Sequence, residues 1–193
     1  YDAIGISELS DTGTKVNIVV YDIGGDYTED QNGGMFGYFH PKDYYTPESA
    51  SLHMDSTMLC SNNGKYFYVD SGFLNSSPQI TYSTLAHEFQ HMINFGQKYI
   101  EHGIQSSTWS NEMMSMVCED MILNYLEIDV NNSPIKRLLS FAQHYFRSGL
   151  TDWLPGDDVL ISYAGAYAFG AYLARNYGGR DLITKIATNE FVD

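Results

Sequence analysis

The hydrophobic pattern of this 193-residue chain changes period once, near residue 80, and that change constrains the fold more than any other feature. Before it, short β-branched or aromatic stretches read as strands: Lys15–Ile23 (KVNIVVYDI), Met35–His40 (MFGYFH), Ser51–Asp55 and Lys65–Asp70 (KYFYVD). Gly24–Gly34 and Ser71–Ile80, the latter carrying Gly72, Asn75 and Pro78, read as loops. From Thr81 the spacing becomes helical. Helices are predicted from Ser83 or Thr84 to Phe95 with Gly96 past the end, over Asn111–Leu126 with a cap near Ser110, and from Pro134 to Arg147. Two more are predicted over Tyr163–Asn176, closed by Gly178 and Gly179, and over Asp181–Ala187. Strands first and helices later predict a single α+β domain with a mostly antiparallel sheet. Its parts would be a sheet lobe over about 1–80, a helix over about 81–96 and a helical lobe over about 97–193.

Composition removes several classes of partner. The 24 acids against 10 Lys and Arg leave a formal charge of −14, a surface that repels nucleic-acid phosphates and anionic lipid. No apolar run reaches the roughly 18 to 20 residues that cross a bilayer. With 44% hydrophobic residues there is ample material for a core. Two cysteines, Cys60 and Cys118, are too few for a disulfide framework, and two buried thiols are the expected state ahead of a bridge. Few Lys, 16 Tyr and the acidic balance lean towards a secreted protein, and a start at Tyr1 without Met reads as a trimmed or mature form.

The sharpest chemical feature is His87-Glu88-Phe89-Gln90-His91, an HExxH segment within the first predicted helix. A spacing of four places both imidazoles on one face, one turn apart, where each can offer a nitrogen to one zinc ion. Glu88 is rotated by about 100° and can address a water on that ion as general base. The neighbours Leu85, Phe89, Met92, Ile93 and Phe95 predict a helix buried on several faces, where two histidines and a glutamate need a common partner.

Catalytic zinc usually takes three protein ligands and a water. A third histidine six residues after His91 is excluded, because that position is Gln97. The acids that follow soon enough are Glu101, Glu112, Glu119 and Asp120. Glu101 falls in the connector, whereas Glu112 opens the second predicted helix, which can pack back across the first. Glu112 is therefore the expected third ligand. Glu119, two turns on and on the same face, is the expected outer acceptor for a ligand histidine's free N–H, with Asp120 competing for that role.

The segment Leu85-Ala86-His87-Glu88-Phe89-Gln90-His91-Met92-Ile93-Asn94-Phe95, followed by Trp109-Ser110-Asn111-Glu112, resembles the hyicolysin-like neutral metallopeptidases of the thermolysin-like gluzincin group. The likeness is dense over Tyr66–Glu119, resumes at Ile161–Tyr167 and is thin before residue 60. It departs in one place: Met113 and Met114 follow the Asn-Glu pair where such families often have Gly. The resemblance implies a zincin-like fold with zinc in the cleft between the two lobes, bound by two histidines and a glutamate. It also implies an oxyanion donor: Tyr163, two residues before Gly165, with Tyr167 in reserve and His144 as the thermolysin-like alternative.

The expected function is a secreted zinc-dependent peptidase in which Glu88 takes the proton of a zinc-activated water and passes it to the leaving amine. Its substrate would be a protein or peptide, added as a strand beside Met35–His40 at the sheet edge with KYFYVD one strand inward. The alternative is a catalytically silent zincin-fold surface protein that retains zinc. A structural zinc site would need a fourth protein ligand, and none is evidently spaced for it. Asp22, Asp26, Glu29 and Asp30 could hold Ca2+, although their spacing is not that of an EF-hand and a solvated acidic turn is preferred. His40, His53 and His102 are isolated and read as structural or surface histidines, and the methionines around Glu112 as core.

Overall fold

A computed structural model describes residues 15–24, 28, 34–47 and 60–190, and the chain divides into two compact units, Tyr1–Thr81 and Tyr82–Asp193. The predicted strand over Ser51–Asp55 lies outside the described residues.

In the first unit, strands β1 (Asn17–Tyr21), β2 (Gly37–Phe39) and β3 (Tyr66–Asp70) form a sheet in the order β1-β3-β2. Among the described strands β2 is at an edge and β3 is central, as the pattern predicted. The pairing of β2 with β3 is antiparallel, with Tyr38 opposite Tyr68, but β1 runs parallel to β3, with Val19 opposite Tyr68. The sheet is thus mixed rather than mostly antiparallel. Parallel neighbours need a long crossover, and the stretch between Tyr21 and Tyr66 provides one.

Asp70 closes this unit locally. It is buried at the end of β3, where Oδ1 accepts from the Phe73 N–H at 2.9 Å and Oδ2 from the Ile23 N–H at 2.7 Å. The first bond caps helix α1 (Ser71–Ser76), so the segment read as a loop is helical. His40 caps a 3-10 turn at Pro41–Tyr44, its Nδ1 accepting from the Lys42 N–H at 3.1 Å, which is the structural role expected of it.

Helix α2 (Pro78–Asn94) starts five residues before the predicted cap, because Pro78 occupies the first-turn position where its missing N–H costs nothing. Gly96 does not end it. A π-helical turn over Phe95–Ile100 continues the coil, and Gly103, at φ 68°, ends it with its N–H on the Tyr99 carbonyl. The second unit adds α3 (Thr108–Ile122), α4 (Arg137–His144), α5 (Val159–Asn176) and α6 (Gly179–Ala187). Pro134 opens a 3-10 turn that leads into α4.

The core of this unit lies where α3 meets α5. Met113, Met116 and Val117 of α3 pack with Ala166, Tyr167 and Ala171 of α5 and with Ile183 of α6. The helices touch at Gly170, where a Cβ would stand 2.6 Å from both Met113 Cγ and Val117 Cγ2. A glycine mid-helix weakens the helix, and here it permits the backbones to close. The opposite face of α5 meets α4 less closely and leaves a cavity of about 400 Å³, lined in part by Phe141, His144, Gly165 and Tyr172. No described helix is long and apolar enough to cross a membrane.

Candidate metal centre

The 3.6-residue period places Ser83, His87, His91 and Asn94 on one face of α2, and Asn111, Glu112, Ser115 and Glu119 on one face of α3. These two faces meet side chain to side chain. Asn94 Nδ2 donates to Asn111 Oδ1 at 2.6 Å at one end, and Ser83 Oγ donates to Glu119 Oε2 at the other. Between them, His87 Nε2 stands 3.1 Å from Glu112 Oε2 and His91 Nε2 stands 3.7 Å from Glu112 Oε1. Candidate donor atoms of His87, His91 and Glu112 all lie within 4.8 Å of one another, the one such grouping among the described residues.

The other ring nitrogens are taken. His87 Nδ1 is 2.7 Å from Glu119 Oε1, and His91 Nδ1 is 3.1 Å from Ser115 Oγ. With Nδ1 committed, each Nε2 faces Glu112, which is the arrangement that orients imidazoles towards a metal. Two imidazole nitrogens and a carboxylate suit a borderline ion such as zinc, so the residues present fit the metal that the motif implies.

The electrostatics carry the same sign. Burial lowers the His87 pKa, but the Glu112 and Glu119 carboxylates on its two nitrogens outweigh it and hold the pKa up to about 10. Burial and the charge on His87 together push His91 below its ordinary value. Burial raises Glu112, yet its bond to His87 and the nearby His91 and Arg137 bring it below the usual carboxylate range. Glu88 is buried, and its charge acts on both His87 and Tyr163.

The three tyrosine and histidine candidates separate. Tyr163, on the first half of α5, is pushed up to about 12, first by burial and then by the Glu112 charge, with Arg137 opposing. Tyr167 is fully buried in the α3–α5 core. His144 lines the α4–α5 cavity, and its Nδ1 donates to the Ser140 carbonyl at 3.0 Å. Of these three only Tyr163 is brought to Glu112.

Several other expectations are corrected or fall away. Asp120 is paired with Arg175 at 2.6 Å, which leaves the contact with His87 to Glu119. Phe89 is 43% exposed, so α2 is not buried on every side. Both cysteines are free thiols. Cys60 is exposed rather than buried, and Cys118 is half-buried. Asp26, Glu29, Asp30 and His53 lie outside the described residues. Ser115 and Arg137 escaped the sequence reading. Ser115 had a signal, since it shares the helical face of Glu112 and Glu119, whereas nothing in the pattern singled out Arg137.

The histidine pair one turn apart on α2 thus converges on a glutamate of α3, a grouping that could hold a metal ion. The pattern of the Peptidase M30 family matches residues 3–192, and the chain belongs to that family. Over 179 residues, 89% of its length, it is 33% identical to the neutral metalloprotease ShpI of Staphylococcus hyicus. The chain spans 37% of that relative's length. The resemblance to the hyicolysin-like group is thereby met.

Proposed function

We propose that this chain is the catalytic core of an extracellular zinc metallopeptidase, a single zincin-like domain acting on protein or peptide substrates. The observation that carries the reading is the convergence of His87 Nε2 and His91 Nε2 on the Glu112 carboxylate, with both Nδ1 atoms already engaged. Membership of Peptidase M30 and the likeness to a neutral metalloprotease support the same reaction class.

His87, His91 and Glu112 would hold the ion, and Glu119 and Ser115 would fix the two imidazoles. A bound zinc ion supplies Lewis acidity towards water and the scissile carbonyl. Glu88, next to His87 and buried, takes the proton of the attacking water and delivers it to the leaving amine, so one carboxylate serves as base and then acid. Tyr163 keeps its proton at neutral pH, since its pKa is about 12, and its O–H donates to the carbonyl oxygen as negative charge develops there. Burial strengthens both contributions by lowering the local dielectric.

The test is hydrolysis of a general protein substrate by the native chain, the chelated chain and Glu88→Gln with its zinc content measured. Activity lost on chelation, restored by zinc and lost in Glu88→Gln at full zinc content supports the reading. A chain that binds one zinc and cleaves nothing would point instead to a binding protein on the same scaffold.

A further inference from the structure

The Tyr163 ring meets residues of two different segments. The Arg137 guanidinium, at the first residue of α4, lies 5.1 Å from the centre of the Tyr163 ring. The Trp153 ring, in the segment before α5, meets it edge-on at 4.9 Å with an interplanar angle of 66°. A cation over an aromatic ring is common and proves little by itself, but Arg137 has two further properties. Among the described residues its guanidinium forms no ion pair with a carboxylate, whereas Arg147 pairs with Asp158 and Arg175 with Asp120. It also lies close enough to Glu112 to favour the ionised carboxylate.

A half-buried arginine with no carboxylate partner among the described residues, in a chain of net charge −14, calls for an explanation by position. Lysine would be a point charge on a flexible stem, whereas a planar guanidinium can lie over the ring and limit how it turns about χ2. Trp153 adds a second, edge-on contact to the same ring.

We propose that Arg137 is a positioning residue that, with Trp153, fixes the orientation of the Tyr163 ring beside Glu112. Its catalytic consequence rests on the function proposed above, because only then does the direction of the Tyr163 O–H govern turnover. A ring free to swing spends part of its time with the hydroxyl turned from the reacting carbonyl, and a misplacement of about 1 Å can cost on the order of 100-fold.

The experiment has two arms. In the first, metal-free chain carrying 13C-labelled tyrosine is examined by NMR, with the Tyr163 ring signal identified by its loss in Tyr163→Phe. Arg137→Met keeps the length of the stem and removes the cation, and it should shift that signal while leaving the other tyrosines in place. In the second arm, peptide hydrolysis by zinc-loaded chain should show kcat reduced about tenfold in Arg137→Met with KM within about twofold, and partly restored in Arg137→Lys. Adding Arg137→Met to Tyr163→Phe should cost nothing further, because a positioning residue has nothing left to position.

An unmoved Tyr163 signal overturns the proposal. So does a KM effect without a kcat effect, or an equal loss in the Tyr163→Phe background, since either would make Arg137 a direct substrate contact. A native chain that hydrolyses no peptide refutes the peptidase reading, and the NMR arm then decides the ring's orientation alone.

Discussion

The two faces of α3 are built on opposite principles. Towards α5 the helix presents Met113, Met116 and Val117, closing to the point where Gly170 has no room for a side chain. Towards α2 it presents Asn111, Glu112, Ser115 and Glu119, each bonded to a polar partner. The apolar seam gains free energy from burial and close packing whatever the pH or metal content. The polar seam gathers Glu88, Glu112 and Glu119 around two histidines, so its stability depends on protons or on a cation. Rigid packing on one side lets the other side hold a costly charge cluster in place.

The largest expected effect falls on the polar seam. At neutral pH the metal-free chain keeps a proton on His87, whose pKa is about 10, while His91 lies below its ordinary value and is already neutral. Zinc must therefore displace about one proton, and its affinity should rise about tenfold per pH unit between pH 7 and pH 9. Competition with a chelator of known affinity across that range checks the slope, and a flat profile would remove the proton from His87.

Glu119→Gln should weaken zinc binding by about 10- to 100-fold in the flat part of the pH profile, where no proton competes, because it loosens the orientation of His87 without removing a ligand. It should also bring the flat part of the pH profile to lower pH, since one of two carboxylates holding the His87 proton is gone. Equal affinity in the variant would assign Glu119 to folding alone, through Ser83.

The apolar seam is tested by two glycines on one helix. Gly170→Ala drives a methyl into Met113 and Val117, and overpacking of that kind costs about 1 to 3 kcal/mol, more than the helix propensity gained. Gly165→Ala, on the cavity side, meets nothing within 4 Å and should stabilise by about 0.5 to 1 kcal/mol. Urea unfolding of both metal-free variants gives the two signs. Matching signs would mean that α5 packs no more tightly against α3 than against α4.

Much of this was legible in the sequence where a short-range period sets the geometry. His87, Glu88 and His91 follow from spacing within one helix, and Glu119 follows from sharing a face with Glu112. What depends on partners distant in sequence was not. The parallel pairing of β1 with β3 has no local signature, and Asp70 both ends β3 and caps α1 through the Phe73 N–H, a second role that the strand pattern does not report. Pro78, placed by its type in a loop, opens α2. Arg137 is singled out by the ring it faces and the carboxylate it acts on, and His144 lines the cavity between α4 and α5, neither of which a local period reports. Among 16 tyrosines Tyr163 stood out only through the family resemblance, and its proximity to Glu112 is what the structure adds.

The two oxygens of Glu119 rest on Ser83 and His87, residues one turn apart on α2. That carboxylate works as an alignment key between the helices. Sliding α2 by one residue would rotate its face by about 100° and withdraw both partners at once. Insertions or deletions between Ser83 and His91 should thus be eliminated in any working descendant of this chain, while length changes in the connector between Gly103 and Ser107, where the coil has already ended and α3 has not begun, leave the key in its slot.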